Sequence, residues 1–435
     1  MSSAVPQDEQ IGRGPTAWHS EAMRRRVRRR YARERRFRAL GLLALTIAAG
    51  FLAFLLITIV SDGWRGFQRA EVAVEVDFDP ARLGLSEADL QGPNAQAMLN
   101  RANFRALVRD AASEQYGSAT MLSNGAWLSV RDEVRGDPEL LGQTKRLWLV
   151  AAPYVDLLAK GHIDFDMPPE RRGVSAEQIS DYRQLRSADA VRLGFNSGFL
   201  RKANSTNSEL AGVWGAFVGS VLTILVTLAI SFPIGVMTAI YLEEYAPKNR
   251  VTDIIEVSIN NLAAVPSIIF GLLGLAVFLN FFGMPRSAPV VGGLTLALMT
   301  LPVIVISARV ALQSVPPSIK DAALGIGASR LQVITHHVLP VALPGILTGT
   351  IIGISRALGE TAPLLLIGMR AFVSDIPGGV TQPATVLPVQ IFLWSDEVGR
   401  GFVEKTSAAI MVLLAVLLAM NGVAIYLRNK FERRW

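Results

Sequence analysis

The chain has 435 residues, a formal net charge of +7, 51% hydrophobic and 18% charged residues, and a mean hydropathy of +0.35. Soluble proteins carry about 25% charged residues, so these values exclude an ordinary globular protein and place much of the chain in lipid. Cysteine is absent, which excludes a disulfide framework, a thiolate metal site and a cysteine nucleophile.

Residues 1–39 form a basic segment whose arginines are concentrated between Arg24 and Arg38. Arginines beside an apolar run set membrane orientation; a lipid or nucleic-acid contact is the alternative reading. Leu40 to Val60 is uncharged and long enough for a hydrocarbon core that needs about 20 helical residues. It is longer than the core of a cleavable signal peptide, about 7 to 15 residues, so it reads as a retained anchor. Residues 61–208 are polar, with strand-like alternation at Glu71 to Asp77 and helix-like stretches near Ala95 to Ser113 and Leu140 to Lys160, which predicts a small α/β domain or a partly ordered loop. Asn204 to Ser208 reads as the linker that leads from this domain back into the membrane.

Residues 209–427 hold five further predicted spans, at Ala211 to Leu242, Val257 to Phe282, Val290 to Leu312, Val341 to Met369 and Ala408 to Leu427, before a basic tail at 428–435. With six spans, Lys248 and Arg250, Lys320 and Arg330, and the tail residues Arg428, Lys430, Arg433 and Arg434 all fall on the side of the Arg24 to Arg38 block. The positive-inside rule makes that side cytoplasmic and puts residues 61–208 outside. The expected fold is an all-α membrane protein of six transmembrane helices with a small extracytoplasmic α/β insertion.

The loop from Val315 to Pro340 predicts two short helices: Ser318 caps the first with Asp321 three residues on, Gly327 ends it, Ser329 caps the second, and Pro340 opens the fifth span. Asp321-Ala322-Ala323, then Gly327, then Leu339-Pro340 resemble, at intact spacing, the EAA loop of ABC importer permeases, with Asp321 where that family has Glu and His337 where it has Ile. The resemblance implies a type I importer core and a coupling helix that docks on a separate ATPase. His336 and His337 are adjacent and accompanied only by His19 and His162, so no metal site is expected.

Glu209 to Ser220, Tyr241 to Ala246 and Arg356 to Leu365 are similar to phosphate-specific permeases of PstA type, over roughly residues 209 to 427. That resemblance implies a heterodimer with a second permease of PstC type, two ATPase subunits and an extracytoplasmic phosphate-binding protein, with no cofactor. Within the predicted spans the charged residues are Arg309, Arg356 and Glu360, and an intramembrane charge is a functional candidate by default. Arg309 stands near a span end, where it either snorkels or lines a path. Arg356 lies about 22 Å into its span at about 1.5 Å per residue, with Glu360 on the same helical face. The two either neutralise each other or line an anion path, Arg356 offering its donor fork and Glu360 orienting it.

No phosphate-binding loop, nucleophile elbow or His-Glu-x-x-His helix is present, so the chain is expected not to be an enzyme and ATP hydrolysis falls to a partner. Permeases for other oxyanions such as phosphonate or molybdate, a secondary transporter, and a membrane-anchored scaffold are the competing readings.

Overall fold

In a computed structural model of the chain, residues 21–86, 89–90, 92, 94–163 and 173–431 are described. Arg433 and Arg434 of the basic tail, His19, and the first 20 residues of the 1–39 segment lie outside the described residues. Residues up to Thr58 form one compact unit and Ile59–Trp435 a second. The first helix, Glu21–Gly66, runs from the arginine block into the apolar run; no proline interrupts it.

The second unit contains a three-stranded antiparallel sheet in the order β2-β1-β3, formed by β1 (Gln68–Asp77), β2 (Thr144–Val150) and β3 (Val191–Phe195). Val72, Val74 and Val76 of the central strand are fully buried, and the helices Phe104–Tyr116 and Ala126–Gly136 add Phe104, Leu107, Val108, Val130 and Val134 to the same core. The stretch expected as one helix at Ala95 to Ser113 is two, Ala95–Arg101 and Phe104–Tyr116, because the Asn103 side chain accepts from the Ala106 amide at 3.1 Å and starts the chain afresh. The helix expected over Leu140 to Lys160 is instead a strand, Thr144–Val150, followed by a short helix. Leu147 and Leu149 are buried on either side of a half-buried Trp148, an alternation of period two that β1 rewards by pairing along its whole length, Trp148 opposite Ala73. Pro153 then opens the short helix Pro153–Ala159.

Among the described residues five helical stretches are long and apolar enough to cross a membrane, and six when one bent pair is taken as a span. That pair is Arg250–Ala263 with Ser267–Phe281, bent by 99°, where a straight span was expected. Pro266 caps the second limb and drives the residue before it out of the helical region. The expected span to Met369 is also shorter: its helix, Leu339–Gly359, stops where Glu360 turns extended (φ −77°, ψ 124°), and a short helix, Ala362–Leu366, follows.

The helices Trp214–Ile240, Pro289–Gln313 and Leu339–Gly359 approach each other through small residues. A Cβ at Gly293 would sit 2.5 Å from Val226, one at Gly235 2.8 Å from Ile304, and one at Gly345 2.7 Å from Ala311. In lipid no hydrophobic force separates helix from solvent, so close backbone contact supplies the attraction. Buried Thr223, Thr227, Ser231 and Thr295 each donate to the carbonyl four residues earlier, which satisfies every one of these hydroxyls without water.

Candidate functional site

The loop between the helices Pro289–Gln313 and Leu339–Gly359 is a compact, self-capped element. Its first helix is Pro317–Gly325. Gly327 follows at φ +90°, its amide bonding the Leu324 carbonyl at 2.9 Å while the Ala328 amide bonds Ala323 at 3.1 Å, the two bonds of a Schellman motif. Ser329 then forms a full capping box with Gln332. The chain continues through a π-helical stretch, Val333–Val338, into Leu339 and Pro340 at the start of the next helix. Ser318 does not cap the first helix: Pro316 and Pro317 open it, and no side chain caps it, since Pro317 has no amide to satisfy and brings a helical φ.

Asp321 and Ala322 are exposed, whereas Ala323 is buried against the cluster containing Val315, Val333 and Val338. His337 points out to the surface, so the apolar packing beneath it is carried by Val333, Ile334 and Val338. Leu324, Ile326 and Leu331 stand exposed around the helix, Ile326 at 83%.

Acidic residues outside the loop hold its base. Lys320 donates to Glu244 at 2.6 Å, and Gln313 to Glu243 at 2.9 Å. Arg309 pairs with Glu256 at 2.7 Å and lies 3.7 Å from Glu243, the latter beyond hydrogen-bond reach. Glu243 and Glu244 come from the π-helical turn Tyr241–Tyr245 and Glu256 from the helix Arg250–Ala263, so three separate elements meet at the foot of the loop.

Arg356 and Glu360 are brought together at the last turn of Leu339–Gly359, with Nε 3.4 Å from Oε1. Among the described residues this is the one side-chain pairing of Arg356; it engages Nε and leaves both terminal nitrogens of the fork open, on a side chain 54% exposed. Arg309 is not part of that pair. Beside Arg356, Ser355 Oγ donates to Asn421 Oδ1 of the last helix, Gly401–Phe431, at 2.6 Å.

Sequence reasoning missed the carboxylates that hold Arg309 and Lys320, although Glu243 and Glu244 lie inside a motif it had singled out. It also missed Glu404 and Lys405, both buried, because the last helix begins seven residues before the span drawn from hydropathy.

Residues 231–434 match the model of the family described as binding-protein-dependent transport system inner membrane component, and residues 24–169 match a domain of unknown function (DUF3333). The chain is 32% identical over 206 residues to the probable ABC transporter permease protein YqgI of Bacillus subtilis (strain 168), covering 45% of this chain and 69% of that one. It is 36% identical over 211 residues to the phosphate transport system permease protein PstA of Mycobacterium leprae (strain TN), covering 47% and 67%. The chain belongs to the family of binding-protein-dependent transport system inner membrane components, as a multi-pass ABC permease of PstA type. Among solved structures, the inward-facing MetNI methionine ABC transporter is similar at a TM-score of 0.38 and 17% identity, covering 51% of this chain and 95% of that one.

Proposed function

We propose that the chain is the permease subunit of an ATP-driven importer that carries inorganic phosphate across the cytoplasmic membrane, coupled through residues 321–340 to a separate ATPase. The observation that carries this reading is the exposed apolar group Leu324, Ile326 and Leu331 around Asp321 and Ala322, mounted on a doubly capped loop whose base is tied by Lys320 and Glu244. An exposed apolar patch on a rigid element suits a docking surface that transmits a rigid-body movement. The phosphate assignment rests on the likeness to the mycobacterial phosphate permease. In this reading a second permease of PstC type, two ATPase subunits and an extracytoplasmic phosphate-binding protein complete the transporter. Both termini and the coupling loop face the cytoplasm, and the 61–208 insertion faces outward.

A charge in a span costs about 2.5 to 3.5 kcal/mol against lipid, so the open side of Arg356 suits a partner subunit or an aqueous path. Its two free terminal nitrogens match the paired oxygens of an oxyanion, while Glu360 holds the fork by Nε. Arg309, committed to Glu256 and Glu243, serves to brace the coupling loop in this reading, outside the path.

Phosphate uptake in a deletion strain complemented with wild-type or variant chain tests the proposal. Wild type should restore uptake, while Gly327→Asp, which strains a left-handed turn and buries a new carboxylate at the docking surface, and Arg356→Gln should abolish it at unchanged membrane abundance. Normal uptake with Gly327→Asp removes the loop from coupling, and normal uptake with Arg356→Gln removes that residue from the path. Failure of the wild type to restore phosphate uptake reassigns the substrate to another oxyanion.

A further inference from the structure

A cluster of deeply buried charges lies away from Arg356, at the seam between the insertion and the start of the last helix, Gly401–Phe431. The Lys160 side chain is 1% exposed, and its Nζ lies 2.8 Å from both Asp156 and Glu404. Asp156 also accepts from the Ala70 amide of β1 at 2.6 Å. The second oxygen of Glu404 contacts His162 Nε2. One carboxylate of the last helix is thus clasped by two side chains of the insertion. Next to it, Lys405 donates to the Gly66 carbonyl at 2.7 Å and faces the Phe199 ring at 5.1 Å, and a Cβ at Gly66 would sit 2.6 Å from the Glu404 carbonyl.

Along its apolar length the last helix has little to hold it, since 11% of its most apolar window is buried. Its placement therefore depends on fixed points. Glu404 is one. Another lies 17 residues on, about 25 Å along the axis at about 1.5 Å per residue, where Asn421 accepts from Ser355, the neighbour of Arg356.

We propose that Glu404 is a positioning residue for Arg356: by locking the insertion to the last helix it sets where Asn421 stands against Ser355, and with it the direction of the Arg356 fork. The proposal rests on the reading of Arg356 as an anion-path residue. It gives the insertion a task, that of a fixed bracket which holds a sparsely packed helix in register. Energetic coupling can travel through a rigid secondary element, and the α-helix from Glu404 to Asn421 is one.

The chain has no cysteine, so Ser355→Cys with Asn421→Cys introduces a single pair that a short bifunctional thiol reagent can link in the assembled transporter. Adding Glu404→Ala should slow that cross-link roughly threefold or more, and in the otherwise native chain should lower the maximal uptake rate by about 2- to 30-fold, leaving the half-saturating phosphate concentration and the membrane abundance unchanged. Glu404→Gln, which keeps an acceptor for Lys160, should fall between wild type and Glu404→Ala in both measurements and serves if the alanine variant does not accumulate. An unchanged cross-link, or a slowed cross-link with undiminished uptake, overturns the proposal. Normal uptake by Arg356→Gln would instead sink the anion-path reading, and the cross-link would still report whether Glu404 sets the helix.

Discussion

The insertion and the membrane core are built by one chain under opposite solvent conditions. In the insertion Phe78, Phe104, Leu149 and Leu185 are fully buried, drawn together by removal of apolar surface from water. In the membrane core Leu225, Ile268 and Leu418 are exposed, and the helices meet instead at glycines and internally bonded hydroxyls. Lipid is as apolar as leucine, so side-chain size carries little association energy there and surface fit carries most of it. The consequence is a reversed rule for substitution: the insertion is sensitive to losing volume, the membrane core to gaining it. Charge follows the same divide, since the buried ion cluster at Lys160 and Glu404 sits where the two environments join.

The largest effect that tests this contrast is in the insertion. Phe104→Ala should destabilise it by about 3–5 kcal/mol, seen as rapid proteolysis within the insertion of the purified transporter while the fragments carrying the spans stay intact. Loss of the spans at the same rate would mean that the two regions unfold as one unit, and the contrast would fail. The next effect is in the membrane core. A Cβ at Gly219 would run into the Thr385 carbonyl, and backbone yields less readily than a side-chain tip. Gly219→Ala should therefore cost about 1–3 kcal/mol, read as a lowered midpoint when the detergent-solubilised protein is heated, whereas Leu225→Ala at an exposed position should shift it little. If Leu225→Ala is the more damaging of the two, volume matters in the core after all.

What was legible in the sequence depended on distance along the chain. The spans follow from uncharged runs, the capped loop before Leu339 from a motif compressed into 20 residues, and the Arg356 and Glu360 pair from a four-residue spacing that any helix would bring together. Arg309 and Glu256 are 53 residues apart, and Lys160 and Glu404 are 244 apart; no local period announces such pairs, which exist only once the helices have packed. The β2 error has a different origin. A short apolar stretch fits both periods, and only the presence of β1 as a partner decides between them. The bend at Pro266 was visible as a residue but not as an angle, because proline marks where a helix stops without saying where the next limb points.

The smallest effect is a pH dependence at the seam, carried by a buried carboxyl group. Glu209 precedes the helix Trp214–Ile240 and is 3% exposed. Its Oε1 accepts from Ser123 of the insertion at 2.7 Å, while Oε2 has no hydrogen-bond partner among the described residues. Burial pushes this carboxyl above the ordinary carboxylate range, against the opposing influence of the Ser123 hydroxyl. A raised pKa in the folded state means that folding favours the neutral acid. The contribution of Glu209 is thus complete below the ordinary carboxyl value and is lost as pH rises through the raised one. Glu209→Gln keeps an acceptor for Ser123 but cannot ionise, so its thermal midpoint should decline less than that of the wild type as pH is raised, and the two proteins should converge at acid pH. Parallel curves across the whole range would show that Glu209 is not the titrating group.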